Sequence, residues 1–223
     1  MKDNPTIQTS PFKGPHQGQP IRFLGEPLDR AHAALVMLHG RGATAEDILT
    51  LVPEIDQPGF AYLAPQANGN AWYPQRYSAP IAVNEPWLSS AIAAIAQALA
   101  RVAEAAIPPE RTMLLGFSQG ACLTLEFAAR HARRYGGVVG LTGALIGPAG
   151  TPRDYAGSLA GTPVFVGGSD VDLHVAKERM IDTAQVLTRL GGLVTTRFYP
   201  NMGHQVNRDE IDLVRGMMEQ LLK

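Results

Sequence analysis

One cysteine in 223 residues, Cys122, excludes an intrachain disulfide. It lies just after a glycine-rich turn, where a small buried hydrophobe is the simplest reading. Apolar runs are short, and none approaches the ~18 residues of a bilayer-spanning helix. No integral membrane segment is expected, and the first residues lack the apolar core of a secretion signal. A cytoplasmic location is the resulting expectation. An excess of charge of one sign is also missing. Lys+Arg number 19 and Asp+Glu 20, for a formal net charge of -1, so neither a nucleic acid nor an anionic membrane is indicated as partner. The six histidines are scattered, with no His-Glu-x-x-His or Cys-x-x-Cys spacing. Gly167-Gly168 is not followed by the Gly-Lys-Ser/Thr of a phosphate loop. Neither a metal nor a cofactor is expected.

The hydrophobic content is 45%, enough for a chain of this length to bury one substantial core. Residues 1–20 are rich in Pro, Gly, Gln and Thr without periodicity, and are expected to form an extended arm. Residues 21–223 read as a single domain with no internal repeat. Short apolar runs predict strands at 21–24, 35–38, 61–64, 113–117, 137–141, 164–167 and 194–199. Helical spacing predicts helices over 87–106, 119–135, 175–190 and 209–222, the third ended by Gly191-Gly192. This alternation predicts an α/β fold: a mostly parallel central sheet with helices on both faces and reactive loops at the carboxyl edge of the strands.

The most informative motif sits on one of those loops. Gly116-Phe117-Ser118-Gln119-Gly120 is a G-x-S-x-G sequence between the apolar run Thr112-Met113-Leu114-Leu115 and a helix. In that setting it reads as a nucleophile elbow, whose sharp turn favours glycine at both flanks; the plain alternative is an ordinary glycine-rich turn. A serine hydroxyl needs a base and a carboxylate. On an α/β-hydrolase fold these follow the serine in the order acid, then histidine. Of the later histidines, His131 lies on the helix leaving the elbow and is carried away from the serine. His174 follows the strand at 164–167. His204, in Asn201-Met202-Gly203-His204 after the strand at 194–199, stands where the base belongs. Asp170 and Asp172 both follow the strand at 164–167, and Asp170 has an obvious alternative as a local turn or cap.

An oxyanion needs two backbone donors. Gln119 N–H follows the serine, and Arg41 N–H lies in His39-Gly40-Arg41-Gly42 after the strand at 35–38. The Arg41 side chain reads as solvated, and His39 as shaping the loop. The long loop 66–86 carries Trp72 and Tyr73, which suit the wall of a substrate site, while Trp87 reads as an anchor of that loop to the core. No large cap domain is visible.

The motifs Leu38-His39-Gly40-Arg41-Gly42, Ala64-Pro65-Gln66-Ala67 with Trp72-Tyr73, Gly116-Phe117-Ser118-Gln119-Gly120-Ala121, Ser169-Asp170-Val171-Asp172 and Met202-Gly203-His204 fall in one order. Together they resemble the phospholipase/carboxylesterase family of small α/β-hydrolases, which includes the acyl-protein thioesterases. The resemblance runs from about Ala33 to the C-terminus. It implies Ser118 as nucleophile, Asp172 as the acid, His204 as base, and the N–H groups of Arg41 and Gln119 as the oxyanion hole. Two positions depart from the pattern: Leu173 stands where many relatives have proline, and Asn201 where glycine is common. The activity implied is hydrolysis of small-molecule esters of short to medium chain length, with acyl thioesters and lysophospholipids allowed. Other acyl hydrolases on this fold, such as an enol-lactone hydrolase or a peptidase, are the enzymatic alternatives. A binding module without catalysis is the other class, against which stands the complete Ser118, Asp172 and His204 set. A homodimer is compatible with the sequence without being indicated by it.

Overall fold

The computed structural model describes residues 14–223, and the first thirteen residues of the expected arm lie outside it. Residues 14–20 do not hang free. His16 is buried: its N–H donates to Ser90 Oγ, its Nε2 lies 2.9 Å from the Trp72 carbonyl, and its Nδ1 accepts from Asn68 N–H. Its ring sits 5.4 Å from those of Trp72 and Trp87. Nothing near this histidine in sequence signals its role, because its partners are 52 to 74 residues away.

Seven strands form one sheet: β1 (Ile21–Gly25), β2 (Ala33–Leu38), β3 (Phe60–Pro65), β4 (Thr112–Phe117), β5 (Gly137–Leu141), β6 (Pro163–Ser169) and β7 (Leu193–Tyr199). Their spatial order is β1-β3-β2-β4-β5-β6-β7, parallel throughout except for β1, which pairs antiparallel with β3. Strands β2 and β3 are buried at every residue, because a parallel sheet covered on both faces leaves no solvent side. Alternation along β2 divides the core. Ala34, Val36 and Leu38 face one cluster, while Ala33, Leu35 and Met37 face the other.

The first face is covered by α3 (Trp87–Glu104), α4 (Gln119–Arg130) and α5 (Lys177–Arg189). The second is covered by the short α1 (Ala45–Leu49) and α2 (Val52–Ile55) together with α6 (Arg208–Leu221). This is the expected α/β-hydrolase architecture, and among the described residues no domain is inserted over the carboxyl edge of the sheet. No helix there is long and apolar enough to cross a membrane.

One helix differs from its sequence expectation. Apolar spacing carries α4 to Tyr135, but the chain leaves helical geometry at His131 (φ -117, ψ 47). Tyr135 is fully buried, and its hydroxyl donates to the His131 carbonyl across the turn into β5. The ring belongs to the core packing of a loop, so its apolar character was not a helical signal. At the end of α5, Gly191 takes the expected left-handed conformation (φ 83).

Candidate active site

Strands β2, β3, β4, β6 and β7 deliver their exit loops to one edge of the sheet. Ser118 is held there at φ 55 and ψ -117, a left-handed conformation that costs a non-glycine residue roughly 1 kcal/mol or more. The turn is enforced by contact: a Cβ on Gly116 would overlap the Gly120 carbonyl, and one on Gly120 would overlap the Leu38 carbonyl. Both glycines are required because backbone occupies the side-chain space.

His204 bridges the other two expected residues. Its Nε2 lies 2.8 Å from Ser118 Oγ and its Nδ1 lies 2.6 Å from Asp172 Oδ2. The Asp172 side chain is fully buried, while its Oδ1 accepts the N–H groups of His174 and Val175 at 2.6 and 2.8 Å. Burial alone would raise this carboxyl. The N–H of Val175, the His204 ring and the N–H of His174 outweigh it and hold the group below the ordinary carboxylate range. An ionised carboxylate only accepts, so it fixes the proton on His204 Nδ1 and leaves Nε2 free to take one from the serine.

The two aspartates divide the work differently from the expectation. The local hydrogen bonds foreseen for Asp170 are made by Asp172, through the oxygen that does not face His204. Asp170 Oδ1 instead accepts from Asn201 N–H at 2.9 Å, tying the loop after β6 to the loop that carries His204. Asn201 adopts φ 55, the conformation for which glycine is common. Leu173 is 92% exposed, and the two bonds to Asp172 Oδ1 fix the turn without a proline.

Further along, Asn207 caps α6. Its N–H donates to Glu210 Oε2, and its side chain accepts from Glu210 N–H. Glu210 is wholly buried with Oε1 unpartnered among the described residues, and burial raises its carboxyl to about 7. The folded state therefore holds an extra proton between the ordinary value of 4.5 and about 7. Folding stability contributed by this residue is full below that window and is lost as pH rises through it, by roughly 3 kcal/mol. Glu210→Gln is expected to cancel the loss. Thermal midpoints at pH 5 and pH 8 check this: the wild-type midpoint should fall relative to the variant by about 5–10 °C on going to pH 8.

The two expected oxyanion donors are positioned by their own side chains. Gln119 is the first residue of α4, where a helix leaves its N–H unpaired. Arg41 N–H has no partner among the described residues. The Arg41 side chain, read as solvated, in fact donates to the carbonyls of Tyr73, Pro74 and Gln75 at 2.8, 3.0 and 2.6 Å. Gln119 grips the same segment, accepting from Trp72 N–H and donating to the Tyr73 carbonyl. His39 shapes its loop as expected: Nδ1 lies 2.8 Å from the Gly40 carbonyl, and Nε2 accepts from Ala67 N–H.

A cavity of about 430 Å3 opens at Ser118 and His204. Tyr73 lines it, with Tyr77, Cys122 and His174. Trp72, expected in the wall, lies behind it instead. It is fully buried in the core, and its indole N–H donates to the His39 carbonyl. Trp87 packs against the same core, as an anchor does. Burial pushes the Cys122 thiol up to about 12, against the pull of Ala144 N–H, so it stays protonated beside the serine. His174, passed over in the sequence, has its ring 4.6 Å from that of His204. Its place two residues after Asp172 could be read from the sequence, but its proximity to His204 depends on two loops meeting.

Fold and site together define an α/β-hydrolase. The sequence profile of the phospholipase/carboxylesterase family matches residues 20–222, and the chain belongs to that family of ester hydrolases. A phospholipase/carboxylesterase from Dyadobacter fermentans superposes with a TM-score of 0.86 at 40% identity, over 92% of this chain and 97% of that one. Acyl-protein thioesterase 1 of Gibberella zeae is 32% identical over 125 residues, 53% of this chain and 52% of that protein. The chain thus spans about half the length of that relative. Acyl-protein thioesterase 1 of Saccharomyces cerevisiae is 23% identical over 87% of this chain and 95% of its own length.

Proposed function

We propose that residues 21–223 act as one serine esterase domain that hydrolyses short- to medium-chain carboxylic esters, with acyl thioesters and lysophospholipids within reach of the same chemistry. The observation that carries this reading is the His204 bridge, 2.8 Å to Ser118 Oγ and 2.6 Å to Asp172 Oδ2. In the proposed reaction His204 Nε2 takes the Ser118 proton as Oγ attacks the carbonyl carbon. The N–H groups of Arg41 and Gln119 receive the charge that develops on the carbonyl oxygen. Asp172 stabilises the imidazolium, which then protonates the leaving alcohol or thiol. Water repeats the sequence on the acyl-enzyme and regenerates the serine.

The cavity of about 430 Å3 is in the lower part of the range for small-molecule sites, which favours short and medium chains. The thioester arm draws support from the two relatives named as acyl-protein thioesterases. A fluorophosphonate probe separates this reading from a binding module without catalysis. It is expected to label the protein once, at Ser118, with loss of labelling in His204→Ala. An unlabelled, folded wild-type protein would mean that the serine is not activated.

A further inference from the structure

The ionic lining of the cavity is of one sign. Its charged side chains are Arg41 and Arg76, with the imidazoles of His174 and His204 beside them, and no aspartate or glutamate side chain lines it. Asp172, which reaches His204 from behind, is fully buried with both oxygens engaged. Arg41 is occupied by the three loop carbonyls. Arg76 is different. Its main chain is fixed, since its carbonyl accepts from Ala79 N–H and from the side chain of the fully buried Asn84. Its guanidinium makes no ion pair or hydrogen bond among the described residues. The backbone is clamped while the head group stands exposed at the cavity.

A guanidinium presents donors in a planar fork that matches a carboxylate or a phosphate, and a cleft of one sign concentrates ligands of the other. A cation kept for fold stability would instead be expected to bond a carboxylate or, as Arg41 does, backbone carbonyls. We infer that the substrate carries an anionic group, carboxylate or phosphate, and that Arg76 selects it, with His174 as a further polar contact across the cavity. This assignment rests on the serine-esterase reading and narrows it: the preferred esters are acidic ones. The anion can belong to the acyl part, as in the half-ester of a dicarboxylic acid, or to the alcohol part, as in a phosphorylated alcohol.

Matched pairs of esters test this with the full chain. Monoethyl succinate and monoethyl adipate, compared with ethyl butanoate and ethyl hexanoate, place a carboxylate on the acyl side. Phosphoethyl butanoate compared with hydroxyethyl butanoate places a phosphate on the alcohol side. One of the two anionic series is expected to show a kcat/KM about tenfold or more above its neutral partner. The gain should reside in KM and shrink at high salt. Arg76→Gln is expected to bring the ratio to about one, and Arg76→Lys to restore only part of it, because the ammonium keeps the charge but not the fork. Equal rates for anionic and neutral esters in the wild type overturn the assignment, as does a preference that survives in Arg76→Gln. If no ester is cleaved and the fluorophosphonate probe does not react, the esterase reading itself fails and takes this inference with it. Labelled protein that cleaves neutral and anionic esters alike overturns the role of Arg76 alone.

Discussion

Ser118→Ala is expected to lower ester turnover by a factor on the order of 10⁶ while leaving the fold intact. The hydroxyl is the only group removed. It accepts no backbone N–H at the start of α4, and among the described residues its one hydrogen-bond partner is His204 Nε2. Alanine keeps the Cβ and the strained φ of 55, so the thermal midpoint should be unchanged or slightly higher. Ser118→Gly separates strain from chemistry. It is expected to be as inactive, yet stabilised by up to about 1 kcal/mol because glycine adopts this conformation without cost. The two variants are compared by steady-state hydrolysis of one ester and by thermal unfolding. An alanine variant with turnover near that of the wild type would remove Ser118 from the mechanism.

The second large effect is expected at Asp172. An asparagine there can offer an NH₂ to His204 Nδ1, which holds the imidazole in the tautomer that carries its proton on Nε2. The ring then cannot accept from Ser118, and kcat is expected to fall by up to about 10⁴. The amide oxygen can still take the N–H groups of His174 and Val175, so the turn should persist and stability should change little. Asp170→Asn is the control. Its amide oxygen can keep the bond from Asn201 N–H, and the rate should stay within about threefold of wild type. Asp170→Ala removes that tie and is expected to cost about tenfold in kcat through a less well-aimed His204, with a loss of about 1 kcal/mol. A greater loss at Asp170→Asn than at Asp172→Asn would exchange the roles of the two residues.

Much of the framework was legible because the signals are local. Strands β2 and β3 are uninterrupted apolar runs, β4 is one after Thr112, and the elbow glycines answer to contacts within four residues and to the adjacent strand β2. Ser118 and His204 could be proposed from their places at the ends of β4 and β7. What remained hidden depends on loops meeting in space. The tie from Asp170 to Asn201 spans 31 residues, and the hold of Arg41 on the 73–75 segment spans 32 to 34. An arginine that binds three carbonyls looks, in sequence, like any solvated one. In sequence Trp72 suits a substrate wall as well as a core, since aromatics serve both; its neighbour Tyr73 reaches the cavity and Trp72 does not. Apolar spacing overruns the end of α4 for a similar reason, since Tyr135 is apolar and buried without being helical.

The grip of Arg41 and Gln119 on residues 72–75 has a consequence for any attempt to alter selectivity. The residues whose backbone N–H groups are proposed to meet the transition state also hold the substrate wall in place by their side chains. Wall and catalytic apparatus are therefore one mechanical unit. A change that shifts the main chain at Tyr73, Pro74 or Gln75 should register as slower chemistry even for esters that never touch the altered side chain. Conversely, a loop transplanted from a relative would bring its own preferred setting of the two donors. Libraries aimed at new substrates are better built on side chains such as Tyr77 and Arg76, which face the cavity without carrying those hydrogen bonds, than on the short stretch that couples recognition to rate.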